Sequence, residues 1–301
     1  MFVITQFIGL GVLKIDPFHI KTEVNGQIQL IENPWLSFVQ PPVIQQQSDF
    51  GMYFSSMIVS FVIAIVILFL FTKYKVANLM KIWFFLVVAM ALFITLNIFP
   101  ALIFFPNLTY FEVPVLIFAL SLSFFKTFKR NIIVHNVTEL FIYPGIATVF
   151  VPILNLWSIS VLLIVISVYD MWAVWHSGIM QKMAAYQIND LKVFGGFFIP
   201  YISKEMRNKL KKMKKSKLKG KKIRANVALL GGGDIFFALV AAGVMFKVTG
   251  SLIPALFITA GATLGLGLLL VFSEKKKSYP AMPFISAGIF LGMLLSYLIF
   301  I

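Results

Sequence analysis

The sequence predicts an all-α fold, a polytopic membrane protein of about nine transmembrane helices, and three observations predict it. Hydrophobic residues make up 60% of the 301-residue chain and charged residues only 12%, whereas a soluble domain is about half apolar and about a quarter charged. Too little polar side chain remains to cover a surface facing water. The apolar residues are gathered into segments near the ~20 residues that a helix needs to cross a bilayer. The basic residues alternate between consecutive connections, as the positive-inside rule demands of a multi-pass chain.

The elements follow in order. The apolar stretch 1–13 forms about 20 Å of helix, too short to span alone. It lacks the basic start and small-residue cleavage site of a signal peptide, and is read as the first transmembrane helix, either short or with its start missing from this chain. Eight further apolar segments lie at 50–71, 82–105, 108–125, 137–151, 156–175, 225–246, 252–272 and 283–301. The fourth of these is short, and Pro144 and Gly145 within it are expected to mark a bend or interruption.

The connections carry the topology. Lys73, Lys75 and Lys81 fall between helices two and three, and Lys126, Lys129 and Arg130 between four and five. Residues 182–224, between six and seven, hold 14 Lys and Arg, and Lys275, Lys276 and Lys277 fall between eight and nine. Those four loops hold 23 of the 26 basic residues, leaving Lys14, Lys21 and Lys247 for the alternate side. The even-to-odd loops are therefore expected in the cytosol and the C-terminus outside. The chain divides into an N-terminal membrane part (1–175), a basic cytosolic loop (176–224) and a C-terminal membrane part (225–301). The lysine run 209–222 in that loop has no interleaved aromatics, so anionic lipid rather than nucleic acid is its expected neighbour. Ahead of it, 193–202 (VFGGFFIPYI) is too short to span and reads as an interfacial or β-forming segment.

Several chemistries are excluded. Without cysteine there is no disulfide, Cys-ligated zinc, iron–sulfur cluster or thiol nucleophile. His19, His135 and His176 are scattered and no HExxH occurs, which disfavours a membrane zinc protease. No GxSxG occurs either.

The acids are more informative. Asp16, Glu23, Glu32, Asp49, Glu112, Glu139, Asp190, Glu205 and Glu274 are read as lying in loops or at helix ends, leaving Asp170 and Asp234 inside strongly apolar helices six and seven. An Asp at the centre of a membrane helix costs about 2.5–3.5 kcal/mol on insertion scales, so an intramembrane acid points to function. No Lys or Arg is expected deep in a helix, and each Asp has the other as its natural partner. Asp170 falls about 8 Å and Asp234 about 14 Å from the cytosolic ends of their helices. Two carboxyls at close range share a proton, the arrangement with which aspartic proteases activate water and polarise a carbonyl. The same pair would also serve a proton- or cation-coupled transporter, the alternative reading, though neither an internal repeat nor other midplane polar groups accompany it.

Local sequence favours the protease. Asp234 closes Gly231-Gly232-Gly233-Asp234, a GxGD motif whose glycines let an extended backbone approach the acid. Asp170 follows Tyr169. At the mouth of the last helix stands Pro280-Ala281-Met282-Pro283, in which the prolines keep the backbone extended. Gly261/Gly265 and Gly288/Gly292 are GxxxG pairs that predict close helix packing.

This set of features resembles the presenilin and signal peptide peptidase family of intramembrane aspartyl proteases, and looks most similar to its archaeal presenilin-like branch. The resemblance covers most of the chain: nine helices, Tyr-Asp in the sixth, GxGD in the seventh, a long loop between them and Pro-Ala opening the ninth. Prepilin-type peptidases share GxGD but not generally this arrangement. The resemblance implies that Asp170 and Asp234 are the catalytic pair and that Tyr169, Gly231, Gly232 and Gly233 shape the site. Pro280, Ala281 and Met282 would occupy the Pro-Ala-Leu position, with Met282 departing from the usual Leu. It implies cleavage of transmembrane peptides or proteins in the lipid bilayer, in an archaeal cell membrane, with no metal or organic cofactor. A homo-oligomer is left open.

Overall fold

The computed structural model describes residues 1–24, 27–42, 44, 49–74, 76–98, 112–129, 131–177, 186–187, 191, 193–201, 226–273 and 279–300. The lysine run and the end of the apolar segment 82–105 lie outside them. Among the described residues are nine α-helices: α1 (Phe2–Ile15), α2 (Asp49–Lys73), α3 (Ala77–Leu96), α4 (Glu112–Phe128), α5 (Ile132–Phe150), α6 (Leu156–Trp172), α7 (Gly232–Thr249), α8 (Leu252–Phe272) and α9 (Met282–Phe300). They match the nine expected helices one for one. Two antiparallel hairpins accompany them, β1 (His19–Val24) with β2 (Gln27–Glu32) and β3 (Gly196–Tyr201) with β4 (Asn226–Gly231).

Local signals set several helix ends. The Asn131 side chain accepts from the N–H groups of Ile133 and Val134 and so starts α5. Asn155 and Ser158 satisfy each other's backbone in a capping box at the start of α6. Gly250 closes α7 in the left-handed region at φ 65°, and the Ser251 side chain caps α8.

Three expectations need correction. Helix α5 begins at Ile132 rather than 137 and runs through Pro144 without a break. The hydropathy pattern missed its first turns because His135, Asn136 and Glu139 are polar, yet all three are buried. Glu139 therefore lies inside a helix, and a cation lies beside it: the buried Lys126 Nζ donates to Glu139 Oε1. Finally, Asn226–Gly231 is a strand rather than the start of helix seven. Asp234 thus sits in the first turn of α7, not nine residues into it. The β-forming expectation for 193–202 is met by β3.

Helix α7 lies at the centre. Ile235, Ala238, Leu239, Ala241, Ala242 and Val244 are fully buried, and α7 packs against α1, α5, α6, α8 and α9. Lipid tails are as apolar as leucine, so helices in a bilayer associate through close packing and polar pairs rather than through the hydrophobic effect. Both devices are present. A Cβ on Gly261 would strike the Gly288 carbonyl, and one on Gly265 the Phe284 carbonyl, so α8 and α9 touch backbone to backbone. The short α1 is joined to α7 by the buried Gln6, whose Nε2 donates to the Ile235 carbonyl at 3.0 Å. Outward-facing Leu264, Leu268, Val271 and Phe272 of α8 and Leu291, Leu294 and Leu298 of α9 are exposed, as a lipid-facing surface requires.

Candidate active site

Asp170 and Asp234 are both buried, on adjacent helices α6 and α7, and near enough for their charges to interact. Each is also held by main-chain donors. Asp170 Oδ2 accepts from the Met282 N–H at 3.0 Å, and the Ala281 N–H reaches the same carboxyl. The Gly231 N–H serves Asp234. The elements explain the convergence. Pro280 and Ala281 precede α9 outside any helix or strand, and the free N–H groups at the helix start point at the acid brought by α6. Likewise β4 ends at Gly231 and α7 begins at Gly232, which puts Asp234 on the first turn of its helix beside the last strand residue.

A second polar contact fixes α6 against α9. Ser167 Oγ, one turn before Asp170, lies 2.9 Å from Ser286 Oγ, one turn after Met282. Neither serine stands out in the sequence, because membrane helices commonly use serine to bond their own backbone; only their places about one turn from Asp170 and from Met282 would have indicated them.

The three glycines differ in what surrounds them, and none has positive φ. A Cβ at Gly232 would run into the Tyr143 hydroxyl and ring, whereas at Gly231 it would sit 3.0 Å from Asp234 Oδ2. At Gly233 it would meet only Phe237, at 3.8 Å. Space, not backbone conformation, is therefore what the first two provide. Pro280 and Met282 are buried at the site. Tyr169 is placed differently: its side chain is 53% exposed and lies beside Trp172, with ring centroids 6.3 Å apart.

Sequence reasoning missed a polar row on α5. Tyr143 is buried between Gly232 and Phe197, and its hydroxyl interacts electrostatically with Glu139 and Asp234 without a hydrogen bond of standard geometry. One and two turns earlier come Glu139, and then His135 and Asn136, which bind β3. The i, i+4, i+8 spacing of His135, Glu139 and Tyr143 was the available signal.

Two buried carboxyls on adjacent helices, close enough to interact electrostatically and with a strand pair leading into one of them, define the class: a membrane-embedded protein with a pair of acids inside its helical bundle. The family model for signal-peptide peptidase, presenilin aspartyl protease matches residues 37–301, and the chain belongs to that family. No curated protein matches it. Among solved structures it is similar to one described as a presenilin family intramembrane aspartate protease. The two share 16% sequence identity and a TM-score of 0.60, over 99% of this chain and 96% of that one. Family and fold together make the chain an integral, multi-pass membrane protein and an intramembrane aspartyl protease in general class.

Proposed function

We propose that the protein hydrolyses peptide bonds within or near transmembrane segments, as a GxGD-type aspartic endopeptidase with Asp170 and Asp234 as its two catalytic groups. One observation carries this reading: two buried carboxyls on adjacent helices lie within electrostatic reach of each other, while the buried cation Lys126 is engaged by Glu139. In the proposed step one carboxylate takes a proton from a water held between the pair, and the protonated partner polarises the scissile carbonyl. Hydroxide adds to the carbonyl carbon, the tetrahedral intermediate collapses, and the leaving nitrogen takes up a proton. Main-chain donors from Gly231, Ala281 and Met282 orient the carboxyls before substrate arrives.

The substrate class is a transmembrane segment of a membrane protein or a signal peptide. It enters from the lipid and unwinds beside Gly231–Gly233 and Pro280–Met282, because a helical peptide bond is shielded by its neighbours. The loop-charge alternation supports a cytosolic loop between α6 and α7 and an outside C-terminus. No metal or organic cofactor is needed for this chemistry.

A hydroxyl-bearing isostere of the scissile bond tests the reading, since it mimics the tetrahedral intermediate. It should bind the wild type at least about 100-fold more tightly than the matching amide. Asp170→Ala and Asp234→Ala should each abolish that preference. Equal preference in the variants would overturn the proposed dyad.

A further inference from the structure

The hairpin that leads into Asp234 is held on both sides. On one side β3 pairs with β4, with Gly196 opposite Gly231 and Phe198 opposite Leu229. On the other it meets side chains of α5. Asn136 Nδ2 donates to the Phe198 carbonyl at 2.8 Å, and the Phe198 N–H donates to Asn136 Oδ1 at 3.0 Å. Two residues along, His135 Nε2 lies 2.8 Å from the Gly196 carbonyl. A carbonyl only accepts, so this nitrogen carries a proton. In a strand, alternate residues direct N–H and C=O to the same edge. Gly196 and Phe198 are such a pair, and a carboxamide offers one donor and one acceptor as a peptide group does.

We propose that His135 and Asn136 are positioning residues for the active site: they close the outer edge of β3 as a neighbouring strand would, and thereby hold the hairpin at the register that delivers Gly231 and Asp234. The inference rests on the protease reading above. The path is short. Gly196 opposes Gly231, Gly231 donates to Asp234, and no residue intervenes between β4 and α7. The row on α5 is itself anchored. Glu139 Oε1 lies 3.6 Å from the same His135 nitrogen and is held by Lys126 from α4. Without this cap, the half-buried Phe198 N–H and C=O would lose the partners that Asn136 supplies.

The test combines amide hydrogen exchange with cleavage kinetics, on the full chain in lipid nanodiscs with a cleavable transmembrane peptide. Asn136→Leu keeps the branched outline of the side chain and removes both hydrogen bonds. Exchange across 196–201 and 226–231 should rise at least tenfold, while helices α8 and α9 keep wild-type protection. The kcat should fall at least tenfold with KM within threefold, because the peptide still binds but meets a displaced Asp234. His135→Gln keeps an N–H donor for the Gly196 carbonyl and should retain most of kcat; His135→Leu should not. If Asn136→Leu does not fold, Asn136→Gln, which shifts the amide by one methylene, should give intermediate exchange and intermediate kcat. Unchanged hairpin exchange in Asn136→Leu would overturn the cap. Raised exchange with unchanged kcat would overturn the positioning role. A wild type that cleaves nothing, with the exchange pattern as expected, would remove the protease reading and leave the cap supported.

Discussion

The Met282 N–H donates to Asp170 Oδ2 at 3.0 Å, so the first residue of α9 holds a carboxyl carried by α6. The contact uses backbone, which explains how a motif of Pro, Ala and Met, with no polar side chain, can serve a charged group. Helix starts leave N–H groups without partners inside the helix, and here one of them meets the acid.

Met282→Pro should separate this donor from the side chain. Proline suits the first position of a helix but has no N–H. A hydrogen bond to a charged group contributes about 1.5–3 kcal/mol, so the cleavage rate should fall roughly 10- to 100-fold, alongside a loss of thermal stability from the missing packing of the buried Met282 side chain. Met282→Leu, similar in volume, should stay within a few-fold of wild type. Steady-state kinetics on both variants decides it, and equal rates in the Pro variant would deny the contact a role.

The glycines of the GxGD motif should not be equivalent. A Cβ at Gly232 collides with Tyr143, and overpacking typically costs about 1–3 kcal/mol. Gly232→Ala should therefore lower the melting temperature, and Tyr143→Phe in the same chain should restore part of it. Gly233→Ala, whose Cβ would make only an ordinary contact with Phe237, should fold normally. Thermal unfolding in detergent ranks them.

Lys126 and Glu139 form a buried ion pair whose side chains are 1% and 2% exposed. Removing one partner strands a charge and typically costs about 3–5 kcal/mol. Lys126→Met should be strongly destabilising, and Lys126→Met with Glu139→Leu should recover most of the loss. A double-mutant cycle by denaturant unfolding measures the coupling; additive losses would mean the pair does not act as a unit.

The pH profile should report the dyad. The rate should climb as the Asp170–Asp234 pair releases its first proton and fall as it releases the second, since one carboxylate must take a proton while its partner keeps one. The bell in kcat/KM belongs to the pair as a whole. A profile without both limbs would contradict a shared proton.

Much of this was legible in the sequence. Nine helices follow from apolar length and alternating loop charge, and Asp170 and Asp234 from the cost of an acid in lipid. Two features were hidden. Asn226–Gly231 is a short apolar run continuous with the helix after it, and hydropathy alone cannot tell a buried strand from a buried helix of that length. The first turns of α5 read as a loop because His135, Asn136 and Glu139 are polar, although β3 and Lys126 satisfy them inside the fold. Tyr169 shows the opposite limit: its neighbour in sequence is Asp170, yet a helix turns its side chain to a different face.

The most direct measurement is cleavage of a reconstituted transmembrane peptide panel by wild type, Asp170→Ala and Asp234→Ala, matched for folding by thermal unfolding and gel filtration. The account predicts discrete products from the wild type and none from either variant. Products of the same sites and amounts from all three would contradict it.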